Sequence, residues 1–255
     1  MKNWAVILGA SSGIGAACAE SLAKKGLNIY GLYLRKKQAD IDILKTTLEQ
    51  YGVEIIFKKA NAANLDNITT CVDELKQIKN INIKMLIHSV AFGTLKSMIS
   101  TDSNHLNKKQ IDMTLDVMCN SLIYWTQEIF KKELFSDGSQ IIAMTSAGGR
   151  KNWNSYGAVS LAKAGIESAC RQLSVELAPY NIAVNAIQAG VTDTAALQKI
   201  PGADKMIQNS ISNNPHKRLT TPNDVSKVIN LFVDYNSSWM TGNIIRVDGG
   251  EDITG

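Results

Sequence analysis

The sequence predicts an α/β fold in which one doubly wound, seven-stranded parallel sheet forms a single domain, and three observations support this prediction. The chain has 255 residues, 45% hydrophobic and 20% charged, a composition that can bury one full core and excludes a disordered or fibrous protein. Short apolar runs alternate with longer amphipathic runs along the whole chain, as strands alternate with crossover helices in parallel sheets. No internal repeat, low-complexity tract or Pro/Gly/Ser-rich linker divides residues 1–255.

Seven short runs rich in Val and Ile define the predicted strands. Their short length and their β-branched residues favour strands over helices. They are Ala5–Leu8, Asn28–Leu32, Glu54–Phe57, Met85–His88, Gln140–Met144, Ile182–Ile187 and Ile244–Val247.

Amphipathic stretches of helix length separate these strands. Residues 191–221 differ from them, because this segment is polar and is interrupted by Pro201, Gly202 and Pro215. We expect this segment to form a loop or short helices that cover a substrate site before the last helix and strand. The predicted helices include Ile14–Lys25, Asp66–Ile78, Met113–Lys132 and Tyr156–Ala178.

The composition argues against several kinds of partner. The formal net charge is +4 and is spread along the chain, so nucleic acid is not an expected partner. No apolar stretch approaches the roughly 20 residues that span a bilayer, and we expect no membrane association. The four cysteines stand about fifty residues apart with no CxxC pair, which predicts neither a metal site nor a disulfide framework. Reduced, buried thiols are typical of a cytoplasmic protein.

A glycine-rich turn follows the first predicted strand and leads directly into an apolar-periodic helix. Glycines let the backbone approach a pyrophosphate closely, while the helix N-terminus supplies free N–H groups and the positive end of its dipole. The sequence therefore predicts a dinucleotide cofactor at this turn. The predicted contacts are Gly9, Ser11, Ser12, Gly13, Ile14 and Gly15.

The end of the second strand bears on the choice of cofactor. An acidic residue there would bind the ribose 2′-hydroxyl of NAD and repel the 2′-phosphate of NADP. The sequence instead places Arg35 and Lys36 at this end, which favours NADPH over NADH because both cations can meet a phosphate. The alternative is a solvated basic turn. Asn61, after the third strand, is a candidate to bind the adenine amine or a simple turn residue.

With these residues in place, the chain resembles the short-chain dehydrogenase/reductase family over essentially its whole length. Asn185–Gly190 and Val247–Gly250 are similar to two late motifs of that family. The resemblance implies a Rossmann-type domain and a homotetramer that pairs the long helices and the last strand. It also implies further cofactor contacts, namely Ala62, Ser89, Val90, Ala91, Gly190 and Thr192.

The predicted catalytic residues depart from the ordinary pattern of this family. Ordinary members carry a tyrosine four residues before the catalytic lysine, but Val159 stands four residues before Lys163 and the nearest tyrosine is Tyr156. Met118 occupies the place of the usual active-site asparagine. The Tyr-x6-Lys spacing resembles the enoyl-[acyl-carrier-protein] reductases, and the resemblance implies Tyr156 and Lys163 as the catalytic pair.

Two further stretches also resemble these enoyl reductases. The run His88–Phe92 is similar to their segment after the fourth strand, and Thr194 lies where a threonine holds the nicotinamide carboxamide. Ser146 stands where some members have a second tyrosine, and in the absence of that tyrosine the chain resembles the smaller, NADPH-using branch. His88 itself is equally compatible with a packing role and with a cofactor contact.

The longer spacing has a chemical rationale. Seven helical residues rise about 10.5 Å, against about 6 Å for four, while returning to nearly the same face. In a 2-enoyl thioester hydride goes to C3 and negative charge develops on the thioester oxygen, so a displaced tyrosine suits that oxygen. We expect Lys163 to bind the nicotinamide ribose and to lower the pKa of Tyr156.

The predicted substrate is a 2-enoyl thioester of acyl carrier protein or CoA, used in fatty-acid or related acyl-chain synthesis. Two alternatives remain open. One is a reductase of the same fold that acts on a ketone, such as a 3-oxoacyl or polyketide-type substrate. The other is a non-catalytic NADP-binding sensor. The predicted substrate contacts are Phe92, Ser146, Tyr156 and Leu197.

Overall fold

A parallel sheet of seven strands forms the centre of the computed structural model, which describes residues 2–102, 104–235 and 237–254. Each predicted strand overlaps one observed strand, so the predicted fold class is confirmed. The strands are β1 Lys2–Leu8, β2 Asn28–Tyr33, β3 Ile55–Lys59, β4 Ile81–His88, β5 Phe135–Ser146, β6 Ala183–Ala189 and β7 Ile244–Val247.

The strand order places the site. The sheet runs β3-β2-β1-β4-β5-β6-β7, so the chain moves outward from β1 to one edge and then returns to continue on the other side. In such sheets ligands bind outside the carboxyl ends of the strands, at the point where the order reverses. That point lies between β1 and β4, next to the predicted glycine turn.

Helices cover both faces of the sheet. They are α1 Gly13–Lys24, α2 Gln38–Glu49, α3 Leu65–Gln77, α4 Lys108–Leu115, α5 Ser121–Lys131, α6 Gly157–Leu177, α7 Ala203–Asn213 and α8 Pro222–Asp234. One core cluster packs α3, α5 and α6 against the sheet, and the other packs α1, α2 and α8 against its opposite face.

The helix predicted over Met113–Lys132 is interrupted. A π-helical turn over Asp116–Asn120 separates α4 from α5. At this turn the Ser121 hydroxyl donates to the Val117 carbonyl at 2.9 Å, a local bond that competes with the helical pattern and bends helices. Hydrophobic periodicity does not reveal such a turn, because the apolar face continues through it.

The segment over residues 191–221 contains short helices, as expected. A 3₁₀ turn spans Leu197–Lys199 and is followed by α7. The two ends of the segment lie side by side, since Thr192 and Thr220 form a parallel bridge and the Thr220 N–H donates to the Val191 carbonyl at 3.1 Å. The segment therefore leaves the sheet and returns to it at one point.

The described part of the chain has no helix with the length and apolar character needed to cross a bilayer. Cys18, Cys71, Cys119 and Cys170 are free and buried. Across residues 2–102, 104–235 and 237–254, no group of three His, Cys, Asp or Glu side chains is placed to hold a metal ion.

Candidate active site

The glycine turn after β1 is packed too closely for side chains. Gly9 has a φ of +88°, and a Cβ there would lie 2.3 Å from the Ser89 carbonyl oxygen at the end of β4. A Cβ at Gly15 would lie 2.1 Å from the Gly9 carbonyl oxygen. Both distances are far below van der Waals contact, so glycine is required where β1, β4 and α1 meet.

The N-terminus of α1 is open toward this turn. Ser12 is the N-cap residue, and its side chain makes no capping hydrogen bond. The first N–H groups of a helix lack partners within the helix, and an anion is stabilised in front of them. Thr194 lies at the same place, because a Cβ at Gly13 would be 3.3 Å from its methyl group. The structure thus brings Thr194 to the glycine turn.

The end of β2 carries the exposed cations that the sequence assigns to the cofactor. The Arg35 guanidinium lies 3.6 Å from the centre of the Phe92 ring, a cation–π distance. The Lys36 ammonium is 3.9 Å from the Asp40 carboxylate, in an exposed pair of little energetic value. Phe92, predicted to contact substrate, therefore contacts a residue predicted to contact cofactor.

The Asn61 side chain stabilises the turn after β3 through a hydrogen bond. Its side-chain oxygen accepts from the Ala63 N–H at 3.0 Å, and the Ala62 carbonyl accepts from the Trp125 indole at 2.9 Å. Asn61 also lines a cavity of about 570 Å³. The other residues that line it are Ala63, Asn64, Lys108, Lys109, Asp112, Met113, Asp116 and Val117.

Tyr156 lies immediately before α6 and faces the turn after β5. Its ring packs edge-on against Trp153, with centroids 6.2 Å apart, and its side chain is hydrogen-bonded to Ser146. A Cβ at Gly148 would lie 2.5 Å from the Tyr156 ring, so this turn also needs a glycine. Ser146, predicted as a substrate contact, is thereby a neighbour of Tyr156.

The pKa of Tyr156 departs from the expectation drawn from the sequence. Burial raises this pKa, and the hydrogen bond with Ser146 opposes the rise. The net direction is upward, so the expected lowering by Lys163 is wrong for the protein alone. A buried phenol favours its neutral form because the phenolate loses hydration.

Lys163 is a buried ammonium. Its side chain is 7% exposed, and Nζ donates to the Met144 carbonyl at the end of β5 at 2.7 Å. Burial lowers its pKa to about 8, and the negative charge of Glu167 opposes that fall. A lysine here has a definite partner, as the cost of burying a charge requires.

The two positions that carry polar catalytic groups in ordinary family members are apolar and packed together. Val159 and Met118 are both buried. A Cβ at Gly93 would lie 2.8 Å from a Val159 methyl group and 3.2 Å from the Met118 sulfur. These side chains therefore fill one small region between α6, the π-helical turn and the segment after β4, and they leave Tyr156 as the phenolic hydroxyl at the start of α6.

His88 is packed in the core at the end of β4. Its Nε2 is 2.8 Å from the Ser121 hydroxyl oxygen, and it must donate because Ser121 already donates to Val117. Burial and the charge of Lys163 lower the His88 pKa to about 3, so the ring is neutral. The ring is packed in the core, and its Nδ1 has no hydrogen-bond partner among the described residues.

The Asn185–Gly190 motif ends β6 and contacts Thr220 and the turn that contains Glu251. Gly190 has no room for a Cβ, which would lie 2.4 Å from the Thr220 hydroxyl oxygen. The Thr192 hydroxyl donates to the Gly190 carbonyl at 2.8 Å, and the Glu251 carboxylate accepts from the Val191 N–H at 3.1 Å. Leu197, a predicted substrate contact, is buried at the start of the 3₁₀ turn.

Two buried carboxylates near the site were not identified from the sequence. Asp252, 3% exposed, is paired with Arg150, Lys151 and Arg246, and it joins the turn after β5 to β7. Glu167, on α6, accepts from the Thr145 hydroxyl at 2.6 Å. Neither was found because the ion-pair partners of Asp252 and the Thr145 partner of Glu167 lie on other elements, and local periodicity carries no signal for contacts between elements.

Comparisons with known proteins agree with this architecture. The family described as Enoyl-(Acyl carrier protein) reductase matches residues 9–251 of the chain. The enoyl-[acyl-carrier-protein] reductase (NADH) of Aquifex aeolicus has a similar fold, with a TM-score of 0.84 and 23% identity over 100% of this chain and 97% of that chain.

The curated relatives catalyse more than one named reaction. The 1-cyclohexenylcarbonyl-CoA reductase of Streptomyces collinus is 28% identical over 99% of this chain and 88% of that protein. The Enoyl-[acyl-carrier-protein] reductase [NADH] FabI of Nostoc sp. is 27% identical over 93% of this chain and 90% of that protein. The 3-oxoacyl-[acyl-carrier-protein] reductase FabG of Buchnera aphidicola is 27% identical over 98% of this chain and 97% of that protein.

These relatives differ in reaction, but the family match covers the chain from the glycine turn to the last turn. The strand order and the packing of the glycine turn fit the same family. The chain therefore belongs to the Enoyl-(Acyl carrier protein) reductase family of short-chain dehydrogenase/reductases.

Proposed function

We propose that the protein is a cytoplasmic, NADPH-dependent enoyl-thioester reductase that reduces the C2–C3 double bond of a trans-2-enoyl group on acyl carrier protein or CoA. The reaction would belong to fatty-acid synthesis or to the synthesis of related acyl chains. The observation that carries the proposal is the pair of Tyr156, immediately before α6, and Lys163 on α6, seven residues apart, with apolar Val159 and Met118 at the positions of the usual polar groups.

The cofactor site is proposed at the carboxyl ends of β1, β2 and β4. The open N-terminus of α1 and the glycines at 9, 13 and 15 fit a pyrophosphate, since the close backbone contacts at Gly9 and Gly15 leave no space for side chains. Arg35 and Lys36, rather than an acid, follow β2, which supports NADPH. The FabI relative is named for NADH, so the cofactor assignment rests on these two cations.

The remaining proposed cofactor contacts surround this turn. Thr194 meets Gly13 and suits the nicotinamide carboxamide, and Lys163 suits the nicotinamide ribose. The other assigned contacts, carried by the family resemblance, are Ser11, Ser12, Ile14, Asn61, Ala62, Ser89, Val90, Ala91, Gly190 and Thr192.

The chain's own groups support an enolate-forming reduction. The bound nicotinamide would supply hydride to C3. Tyr156, whose raised pKa keeps its hydroxyl protonated at neutral pH, donates a hydrogen bond to the thioester oxygen as negative charge develops there. Lys163 adds a positive charge to the same region, fixed by the Met144 carbonyl. Protonation of C2 completes the reduction.

The substrate region is proposed on the side of the 191–221 segment. Leu197 and the 3₁₀ turn sit next to Thr194, because the Leu197 N–H donates to the Thr194 hydroxyl at 3.3 Å. We assign the segment as a cover over the acyl chain, with Phe92 and Ser146 as further contacts. This arrangement would exclude water from the reacting carbons.

We also propose a homotetramer. Exposed apolar side chains support it: Val175 on α6 is 71% exposed and Trp239, before β7, is 92% exposed. Burial of these side chains between copies of the chain would remove their apolar surface from water. Sedimentation velocity of the purified protein tests this part of the proposal.

A second candidate, reduction of a 3-oxoacyl thioester, is favoured by the similarity to the Buchnera FabG. It requires Tyr156 to donate to the oxygen of the carbon that receives hydride. The test measures oxidation of NADPH and NADH with a 2-enoyl thioester and with a 3-oxo thioester of equal chain length. Turnover of the enoyl substrate alone supports the proposal, turnover of the 3-oxo substrate supports the second candidate, and cofactor binding without turnover of either supports a sensor.

A further inference from the structure

Glu167 is a buried carboxylate one helical turn after Lys163. Residues four apart on a helix share a face, so both side chains point from α6 toward the end of β5. Glu167 is 9% exposed. A carboxylate in such a place is stable only with hydrogen-bond partners or opposite charge.

Its hydrogen-bond partner is the residue beside the Lys163 acceptor. The Thr145 hydroxyl donates to Glu167 Oε1 at 2.6 Å, while Lys163 Nζ donates to the carbonyl of Met144, the preceding residue. Thr145 is itself 3% exposed. Two groups on one face of α6 therefore hold two consecutive residues of β5.

The same carboxylate packs against the turn that faces Tyr156. A Cβ at Gly149 would lie 2.8 Å from Glu167 Oε1, and the adjacent Gly148 lies against the Tyr156 ring. Glu167 thus contacts both the end of β5 and the turn after it. The first segment holds the Lys163 ammonium, and the second packs against the Tyr156 ring.

Polar and titratable groups from four elements face the Lys163 ammonium. His88 on β4 is neutral, since its pKa is lowered to about 3, and burial raises the pKa of the Cys119 thiol in the π-helical turn. Met144 on β5 contributes a carbonyl dipole. Of the groups from these four elements, Glu167 on α6 supplies the full negative charge.

We infer that Glu167 is a positioning residue for catalysis: through Thr145 it fixes the β5 carbonyl that receives the Lys163 ammonium, and its charge keeps that ammonium in place. The inference rests on the proposed role of Lys163 in cofactor binding and reduction. Glu167 touches neither substrate nor cofactor, and it acts through Lys163 and the turn that faces Tyr156.

The test compares Glu167→Gln with wild type in the full-length protein. The amide still accepts from Thr145 but lacks charge, so the Lys163 pKa falls by about one unit or more. Lys163 acts as an ammonium, and the alkaline limb of the kcat profile is therefore expected to move by that amount to lower pH. A shift of the Lys163 pKa from about 8 to about 7 roughly halves the ammonium fraction at pH 7, so we expect kcat to fall about twofold there and about tenfold well above pH 8. Glu176→Gln, an exposed site on the same helix that hydrogen-bonds Gln172, is the matched control.

A second pair of variants keeps the test decisive if Glu167→Gln does not fold. Thr145→Val removes the hydroxyl and is expected to lower kcat at unchanged KM for the thioester, whereas Thr145→Ser restores the hydroxyl and the turnover. Equal kcat values for the Val and Ser variants overturn the inference. Superposable pH profiles for wild type, Glu167→Gln and Glu176→Gln do so too.

Cofactor binding separates this inference from the proposed function. NADPH fluorescence titrations from pH 6 to 10 need no acceptor, and wild-type binding is expected to weaken as pH rises through about 8, where Lys163 loses its proton. In Glu167→Gln that midpoint lies at lower pH. If wild type reduces no enoyl thioester, the proposed function fails while these binding curves still decide the role of Glu167; coincident curves overturn it.

Discussion

At the β1–α1 turn the structure depends on the absence of side chains, whereas at the β5–α6 end it depends on buried charged ones. Gly9 and Gly15 allow backbone atoms to approach within distances that exclude a Cβ. Lys163 and Glu167 instead place opposite charges in the core, each with its own partner on β5. The β1–α1 turn can hold a ligand through backbone N–H groups alone. The β5–α6 region can act as a hydrogen-bond donor or as a cation only if the buried charges of Lys163 and Glu167 keep their partners.

This difference predicts different kinds of failure. A side chain added at the glycine turn blocks binding, since it fills space that the backbone occupies. Removal of the Tyr156 hydroxyl, at the start of α6, leaves the fold and the cofactor in place but reduces the rate. Variants at the two ends should therefore separate the cofactor dissociation constant from kcat.

The largest effect is expected at the hydroxyl before α6. Tyr156→Phe removes the proposed donor to the enolate oxygen, and loss of one such donor lowers kcat by about 10²–10³-fold. NADPH affinity stays within about twofold of wild type. Steady-state rates with a 2-enoyl thioester and a fluorescence titration measure the two quantities. Tyr180→Phe, at a side chain that is 57% exposed, is the control, and full enoyl reduction by Tyr156→Phe would show the assignment to be wrong.

The next effect is expected at the glycine turn. In Gly9→Ala the new methyl group meets the Ser89 carbonyl oxygen at 2.3 Å, so the turn must move and NADPH affinity is expected to fall about 100-fold, a loss of about 2.7 kcal/mol. Gly26→Ala is a matched control, because Gly26 has a similar φ of +84° but open space around it. That control carries only the roughly 1 kcal/mol cost of the left-handed conformation. Equal NADPH affinity in the two variants would contradict the role given to close packing.

A smaller effect on kcat is expected when the pH is raised and Lys163 loses its proton. The Lys163 pKa is lowered to about 8, and the ammonium is the active form, so activity is full below that pH and is lost as pH rises through it. Above the midpoint kcat should fall about tenfold per pH unit. A profile of kcat from pH 6 to 10 at saturating NADPH makes the measurement, and a flat profile would exclude Lys163 as the controlling group.

The smallest effect is expected at the end of β2. Arg35→Gln removes a charge that is proposed to meet the 2′-phosphate, and charge-assisted hydrogen bonds contribute about 1.5–3 kcal/mol; because Arg35 is exposed, we expect the lower end, about a tenfold rise in KM for NADPH. KM for NADH stays unchanged, since NADH lacks that phosphate. Lys45→Gln, at a lysine on α2 whose side chain is 44% exposed, is the control, and parallel changes for both cofactors would remove Arg35 from the specificity argument.

Much of the fold follows from local pattern. The seven apolar runs and the glycine turn predicted β1 to β7 and the start of α1, because buried parallel strands leave continuous Val and Ile runs that no other element mimics at that length. The long helix was predicted in the right place but without its interruption at Asp116–Asn120. The Ser121 hydroxyl bonds to the Val117 carbonyl at this turn, and hydrophobic periodicity does not register such a bond.

The features of the candidate site also separate into those set by the local sequence and those set by tertiary contacts. The sequence by itself determined that the usual tyrosine and asparagine positions are Val159 and Met118, and that Tyr156 lies seven residues before Lys163, because identity and spacing are local properties. Only the tertiary structure decided that Phe92 lies under Arg35, that Ser146 meets Tyr156, and that Glu167 joins Thr145 to the turn at Gly149. These contacts link residues that are up to 57 positions apart in the chain. Their energies depend on burial and distance, which exist only once the sheet has brought its carboxyl ends together.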